Sequence, residues 1–233
     1  MRRRLLRSAF CILHSAFVVL VAQAATEKPY HLRLEANFSA PFPYLGRLGT
    51  VTLHVYSHGV RANTIWLNGF SRNGSPNVTV MNPLARMYTD VPIREFPAFI
   101  ARITGSESEM IESNAPIISK PTSGKVHGIT AMRYRLVYGP SAWIDIWTTQ
   151  VIPENPQLKR MVDEFVRGVA PATADLVSRI PGNPLYVELN FSHYSKLPIV
   201  WVKSLTMDDR GESDALAVGS FYFKAPFIDA ILK

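Results

Sequence analysis

His54 and His58 stand four residues apart, the spacing that brings two imidazoles to one metal ion when the backbone is helical. The pattern around them is not helical. Val51, Leu53 and Val55 alternate with Thr50, Thr52 and His54, a period of two that marks a strand with one buried face. A strand rises about 3.3 Å per residue, so the two rings fall roughly 13 Å apart, too far to share an ion unless Ser57 to Gly59 turns back sharply. The other motifs fail similar tests. Gly139-Pro140-Ser141 lacks the second glycine of a nucleophile elbow and lies where a hairpin turns. Ser123-Gly124-Lys125 ends like a phosphate loop, but Ser119 stands where the first glycine belongs. Asp208, Asp209, Glu212 and Asp214 crowd one segment without the twelve-residue calcium spacing and read as a solvated turn. No catalytic residue, metal ligand or cofactor is assigned from these motifs.

Aromatic side chains are the remaining candidates for binding. Trp66, Tyr134, Trp143, Trp147 and Trp201 fall in runs that read as strands, and they are the candidate lining of an apolar ligand cavity, with plain core packing as the alternative. Trp143 and Trp147 are four residues apart on one strand and share a face, which Tyr134 can join across a hairpin. Asp145 lies between the two tryptophans on that face, so it needs a partner such as an arginine or a place at a cavity mouth.

The elements that must hold these residues are mostly strands. After Thr50–Val55 come a run over Asn63–Asn68 ending at Asn68-Gly69, a turn at Asn73-Gly74, a strand over Asn77–Met81, a turn at Asn82-Pro83 and a short strand around Arg86–Thr89. Proline and serine density then predicts loops with one or two short helices before Ile117. Long strands over Val126–Tyr138 and Ala142–Gln150 join at Gly139-Pro140. Arg133 and Arg135 face away from Met132, Tyr134, Leu136 and Tyr138, and apolar weight on both faces predicts a sheet covered on both sides. Asn155 caps a helix that starts at Pro156 and carries Leu158, Met161, Val162, Phe165, Val166 and Val169 at helical spacing. A second helix over Thr173–Ile180 stops at Pro181-Gly182, and strands over Leu185–Phe191, Ile199–Thr206 and Ala215–Phe223 follow.

The N-terminus has the three parts of an export signal: Arg2, Arg3, Arg4 and Arg7, an apolar run over Ala9–Val21, and Ala22-Gln23-Ala24 as the cleavage site. The apolar run is shorter than the roughly 20 residues that span a bilayer, so cleavage after Ala24 is expected. Four of the 25 basic residues and none of the 18 acidic ones lie in that signal, leaving 21 against 18, a net charge of +3. The remaining cations form no stripe, which argues against a nucleic-acid partner. Cys11, the single cysteine, lies in the signal, so residues 25–233 must fold on a hydrophobic core without disulfides, and they read as one domain. Asn37, Asn77 and Asn190 begin Asn-x-Ser/Thr triplets.

The order of elements resembles the bacterial lipoprotein-carrier fold, the LolA-like superfamily, and especially a group of exported domains that share it. The resemblance rests on Gly128-Ile129-Thr130-Ala131-Met132-Arg133-Tyr134, Trp143-Ile144-Asp145-Ile146-Trp147-Thr148, Pro156 to Phe165, Pro181 to Leu189, and Ser220 to Pro226. It implies an α+β fold, a strongly curved antiparallel half-barrel sheet with helices covering the concave face. It also implies an exported, periplasmic or secreted, non-enzymatic domain that binds a lipid or a lipoprotein acyl chain, or an envelope protein. Arg61 is placed by position alone at the carrier's lipid-gating residue. The alternative is a secreted hydrolase whose site assembles from residues distant in sequence.

Overall fold

The computed structural model describes residues 29–37, 49–99, 116–169, 171–191, 194–208, 215–226 and 230–231. Residues 1–24, expected to be an export signal, together with Asp209, Glu212, Asp214 and most of the segment before Ile117, lie outside them.

Strands dominate. An antiparallel meander runs through β1 (His31–Asn37), β2 (Thr50–Tyr56), β3 (Gly59–Asn63), β4 (Asn68–Arg72), β5 (Asn77–Asn82) and β6 (Met87–Pro92), and a 3-10 turn covers Ile93–Glu95. A second group comprises β7 (Ile117–Ile118), β8 (Thr122–Val126), β9 (Ile129–Gly139), β10 (Ala142–Thr149), β11 (Asn183–Phe191) and β12 (Tyr194–Thr206). Pairing of β12 with β1 joins the two groups into one sheet, and β13 (Phe223–Lys224) lies parallel to β6 at one end. The other pairings are antiparallel, and among the described residues the sheet does not close: it runs from β13 to β7. The opposed positions Val202, Leu34, Leu53 and Ala62 turn one apolar face toward the helices.

Helix α1 (Pro156–Val169) begins where capping chemistry puts it. Asn155 Oδ1 accepts from the backbone N–H of Gln157 at 3.0 Å and of Leu158 at 2.8 Å, and Pro156 takes the first position, where a missing N–H costs nothing. Helix α2 (Pro171–Val177) starts two residues before the expected Thr173, because proline also suits its first turn. At Pro181-Gly182 glycine is required twice over. Its φ is +87°, and a Cβ there would stand 2.5 Å from the Thr149 carbonyl oxygen.

Three strand assignments need correction. Asn63–Asn68 is a turn between β3 and β4: Thr64 Oγ1 donates to the Leu67 carbonyl at 2.7 Å and accepts from the Leu67 N–H at 2.9 Å, giving the backbone local partners in place of a ladder. The strand over Val126–Tyr138 is broken at its start by a two-residue turn, His127-Gly128, whose φ values of 47° and 82° are both positive, as a twist-matched hairpin turn requires. Ala215–Phe223 is not a strand until its last residue. Its carbonyls are taken by side chains instead, Arg61 Nη1 donating to Ala215 O at 2.7 Å and Arg72 Nε to Leu216 O at 3.1 Å. Leu216 is thereby pressed onto Tyr56, Phe70 and Met81, so this part of the sheet is covered on the face away from the helices as well.

Candidate functional site

A cavity of about 180 Å³ lies between α1 and β2–β5. Val51, Leu53, Val60, Ala62, Val78 and Val80 form its strand wall, Leu158, Met161, Val162 and Phe165 its helix wall, and Phe96 and Phe99 one end. Thr64 and Asn68 are the polar residues at its margin. Alternation explains the strand wall, because residues 51 and 53 on β2 and 60 and 62 on β3 point to the same face in register.

None of the five aromatic candidates lines this cavity. Trp66, in the β3–β4 turn, packs against the core cluster around it. Tyr134 pairs with Ile146, on the opposite side of the sheet from Trp143 and Trp147, so it does not join them. Trp143, Trp147 and Trp201 share the face turned away from the cavity, since Trp147 pairs with Tyr186 and Tyr186 with Trp201. Arg61 lies away from the cavity too, donating to Asn63 Oδ1 at 2.9 Å and to Ala215 O, and so it is no gate to it.

On that other face β8–β11 form an open groove of about 480 Å³ with mixed walls. Asp145 lies at its floor, 3% exposed. Arg135 grips the carboxylate with both prongs, Nε to Oδ1 at 2.7 Å and Nη2 to Oδ2 at 2.8 Å, and Arg133 Nη2 adds a third bond to Oδ2 at 2.5 Å. Strand register makes this possible, because Arg135 stands directly opposite Asp145 and Arg133 opposite Trp147. Each guanidinium also lies over a ring, Arg135 at 4.6 Å from the centroid of Trp143 and Arg133 at 5.8 Å from that of Trp147. Trp147 reaches across β9 to Gly124 of β8, where a Cβ would meet the indole at 2.6 Å, so Gly124 serves ring packing rather than a phosphate loop. Beside them Tyr186 donates to Glu188 Oε2 at 3.0 Å, and burial first, then Glu188, pushes the phenol up to about 12.

The histidines are apart and differently engaged. His54 and His31 share a hydrogen bond of 3.0 Å between ring nitrogens, and His54 and His58 each stack on Tyr56. Burial, then the charges of His31, Arg33 and Arg61, bring the His54 imidazole down from 6.5 to about 4. The folded value lies below the unfolded one, so as pH falls the unfolded chain takes up this proton first. Stability from the neutral ring is complete above 6.5 and is lost between 6.5 and about 4. His54 is only partly buried, and solvent screening reduces the effect to about 1 kcal/mol. Urea unfolding at about pH 7 and about pH 4.5 should show His54→Gln lacking that part of the wild-type acid loss; equal losses in both proteins would rule out His54 as its source.

Among the described residues no helix is long and apolar enough to cross a membrane, and no three His, Cys, Asp or Glu side chains converge as metal ligands. No family model and no curated protein matches the chain. Among solved structures it is similar to an uncharacterized conserved protein from Thermus thermophilus, with 8% identity and a TM-score of 0.44 over 91% of this chain and 98% of that one.

Proposed function

We propose that the chain is an exported, non-enzymatic domain that shelters an apolar ligand, a lipid or acyl chain, in the cavity between α1 and β2–β5. The carrying observation is the lining: of the residues around the cavity, Thr64 and Asn68 alone bring polar side chains. Such a site offers no directional chemistry for a reaction and favours anything apolar that fits, as a dry cavity of about 150 Å³ binds benzene. Each methylene taken from water contributes about 0.8 kcal/mol, so affinity should rise with chain length until the cavity is full. This reading extends the resemblance to the LolA-like superfamily. On it the sheet curves into a half-barrel, α1 and α2 occupy the concave side, and residues 1–24 direct the chain to the periplasm or beyond.

The test is titration of residues 25–233 with a fluorescent fatty acid. Binding should saturate in the wild type, and Ala62→Phe, which fills the cavity from the strand wall, should abolish it while the circular dichroism spectrum stays native. If the wild type fails to bind, or if folded Ala62→Phe binds as well as wild type, the cavity is a packing defect and not a ligand site.

A further inference from the structure

We infer that the groove over β8–β11 is a second binding site, on the opposite face of the sheet from the cavity, and that it takes a small organic oxyanion, a carboxylate or a phosphate monoester.

Charge comes first. Two guanidinium groups converge on one carboxylate, so Asp145 is neutralised with a positive charge to spare. Around the rim Lys125 and Lys196 add two more cations against Glu188, and the lining as a whole carries four cations and two carboxylates. An excess of this kind held in a concave site attracts an anion and repels a cation.

Hydrogen-bonding capacity agrees in sign. Arg133 Nε and Trp143 Nε1 are buried and have no partner among the described residues. Both are N–H donors, so what completes them is an acceptor, which an oxyanion supplies and an ammonium group cannot. The bonds to Asp145 use Nη2 of each arginine and Nε of Arg135, leaving both Nη1 groups outside the trio, and each arginine side chain is about one third exposed. Asp145 thus holds two planar donors in place at the groove floor, in the geometry that suits carboxylate and phosphate.

The walls point to an organic body on the anion. Trp143, Trp147 and Tyr186 are half-buried, so they present flat apolar surface beside the guanidinium planes. Two of the three non-glycine residues with positive φ among the described residues, His127 and Lys196, also stand on this groove, where such backbone geometry aims side chains that regular strands would not.

The experiment follows intrinsic tryptophan fluorescence during titration with phenyl phosphate, benzoate, inorganic phosphate and neutral benzyl alcohol. Phenyl phosphate or benzoate should give a saturable change, and which of the two binds more tightly assigns the head group. Inorganic phosphate should bind more weakly than phenyl phosphate, and benzyl alcohol about tenfold more weakly than either aromatic anion. Lys125→Ala combined with Lys196→Ala changes two exposed side chains that the fold does not need, and it should weaken the preferred anion by about tenfold and flatten its salt dependence. Ala62→Phe, which blocks the cavity, should leave this binding unchanged, separating the two sites. The inference is overturned if neither aromatic anion binds, if benzyl alcohol binds as tightly as they do, or if the double variant retains wild-type affinity.

Discussion

Asn155→Ala should lower the free energy of unfolding by about 3 kcal/mol, far more than a helix cap alone explains. The side chain is 1% exposed and works at both ends. Its oxygen caps Gln157 and Leu158, a contribution of about 1 kcal/mol in most helices. Its Nδ2 donates to the Tyr56 carbonyl at the end of β2 at 2.7 Å, and losing that donor strands a buried carbonyl at a cost of about 1 to 3 kcal/mol. Asn183 Oδ1 accepts from the Asn155 N–H at 3.0 Å, and Gln157 Nε2 donates to Ser71 Oγ at 2.6 Å, so the first turn of α1 is tied to β11 and β4 as well. Asn155→Ser separates the two parts, since a hydroxyl can cap but cannot also reach Tyr56. Urea unfolding should place it between wild type and alanine. A loss below about 1 kcal/mol for alanine would show that the tertiary bond adds nothing. Because α1 forms one wall of the cavity, the same variant should also bind a fatty-acid probe more weakly.

That dual role marks the limit of what the chain discloses in one dimension. The cap, the proline after it and the helical spacing from Leu158 to Phe165 are local, so α1 is legible with its start in the right place. The bond from Asn155 to Tyr56 spans 99 residues and carries no local signal. Nor does the grip of Arg61 on Ala215, 154 residues away, which diverts a predicted strand into a packed strap. The His127-Gly128 turn was legible in principle, because histidine and glycine both tolerate positive φ, but the strand pattern on either side of it is stronger. The cavity escaped for a different reason. Large aromatic residues draw the eye as pocket walls, whereas this space exists where Val51, Val60, Ala62, Gly69, Val78 and Val80 are too small to fill it. Alternation pairs Arg133 with Arg135 and calls for an arginine beside Asp145, but it does not fix which face of β9 meets that residue: the hairpin register puts the two arginines there, and not Tyr134.

Replacing both arginines of that trio, Arg133→Met with Arg135→Met, should lower stability by about 3 to 5 kcal/mol, because it leaves a buried carboxylate with no cation against it. The arginines are each about one third exposed, so solvent shares their charge and the lower end of the range is expected. Asp145→Leu added to the pair should then return most of the loss, to within about 1 kcal/mol of wild type, since an apolar trio needs no compensation. Urea unfolding of the three proteins measures this. A double variant within about 1 kcal/mol of wild type would mean that water reaches Asp145 once the arginines are gone. Recovery in the triple variant bears directly on function. If leucine and two methionines hold β9 and β10 together as well as the charged trio does, packing does not require the charges. What the triple variant should lose is the positive groove floor, and with it the saturable response to phenyl phosphate or benzoate. A stable triple variant that still binds either anion as tightly as wild type would show that the groove floor takes no part in recognition; one that is stable and silent would show that the two guanidinium groups that Asp145 orients are required beside the rim lysines.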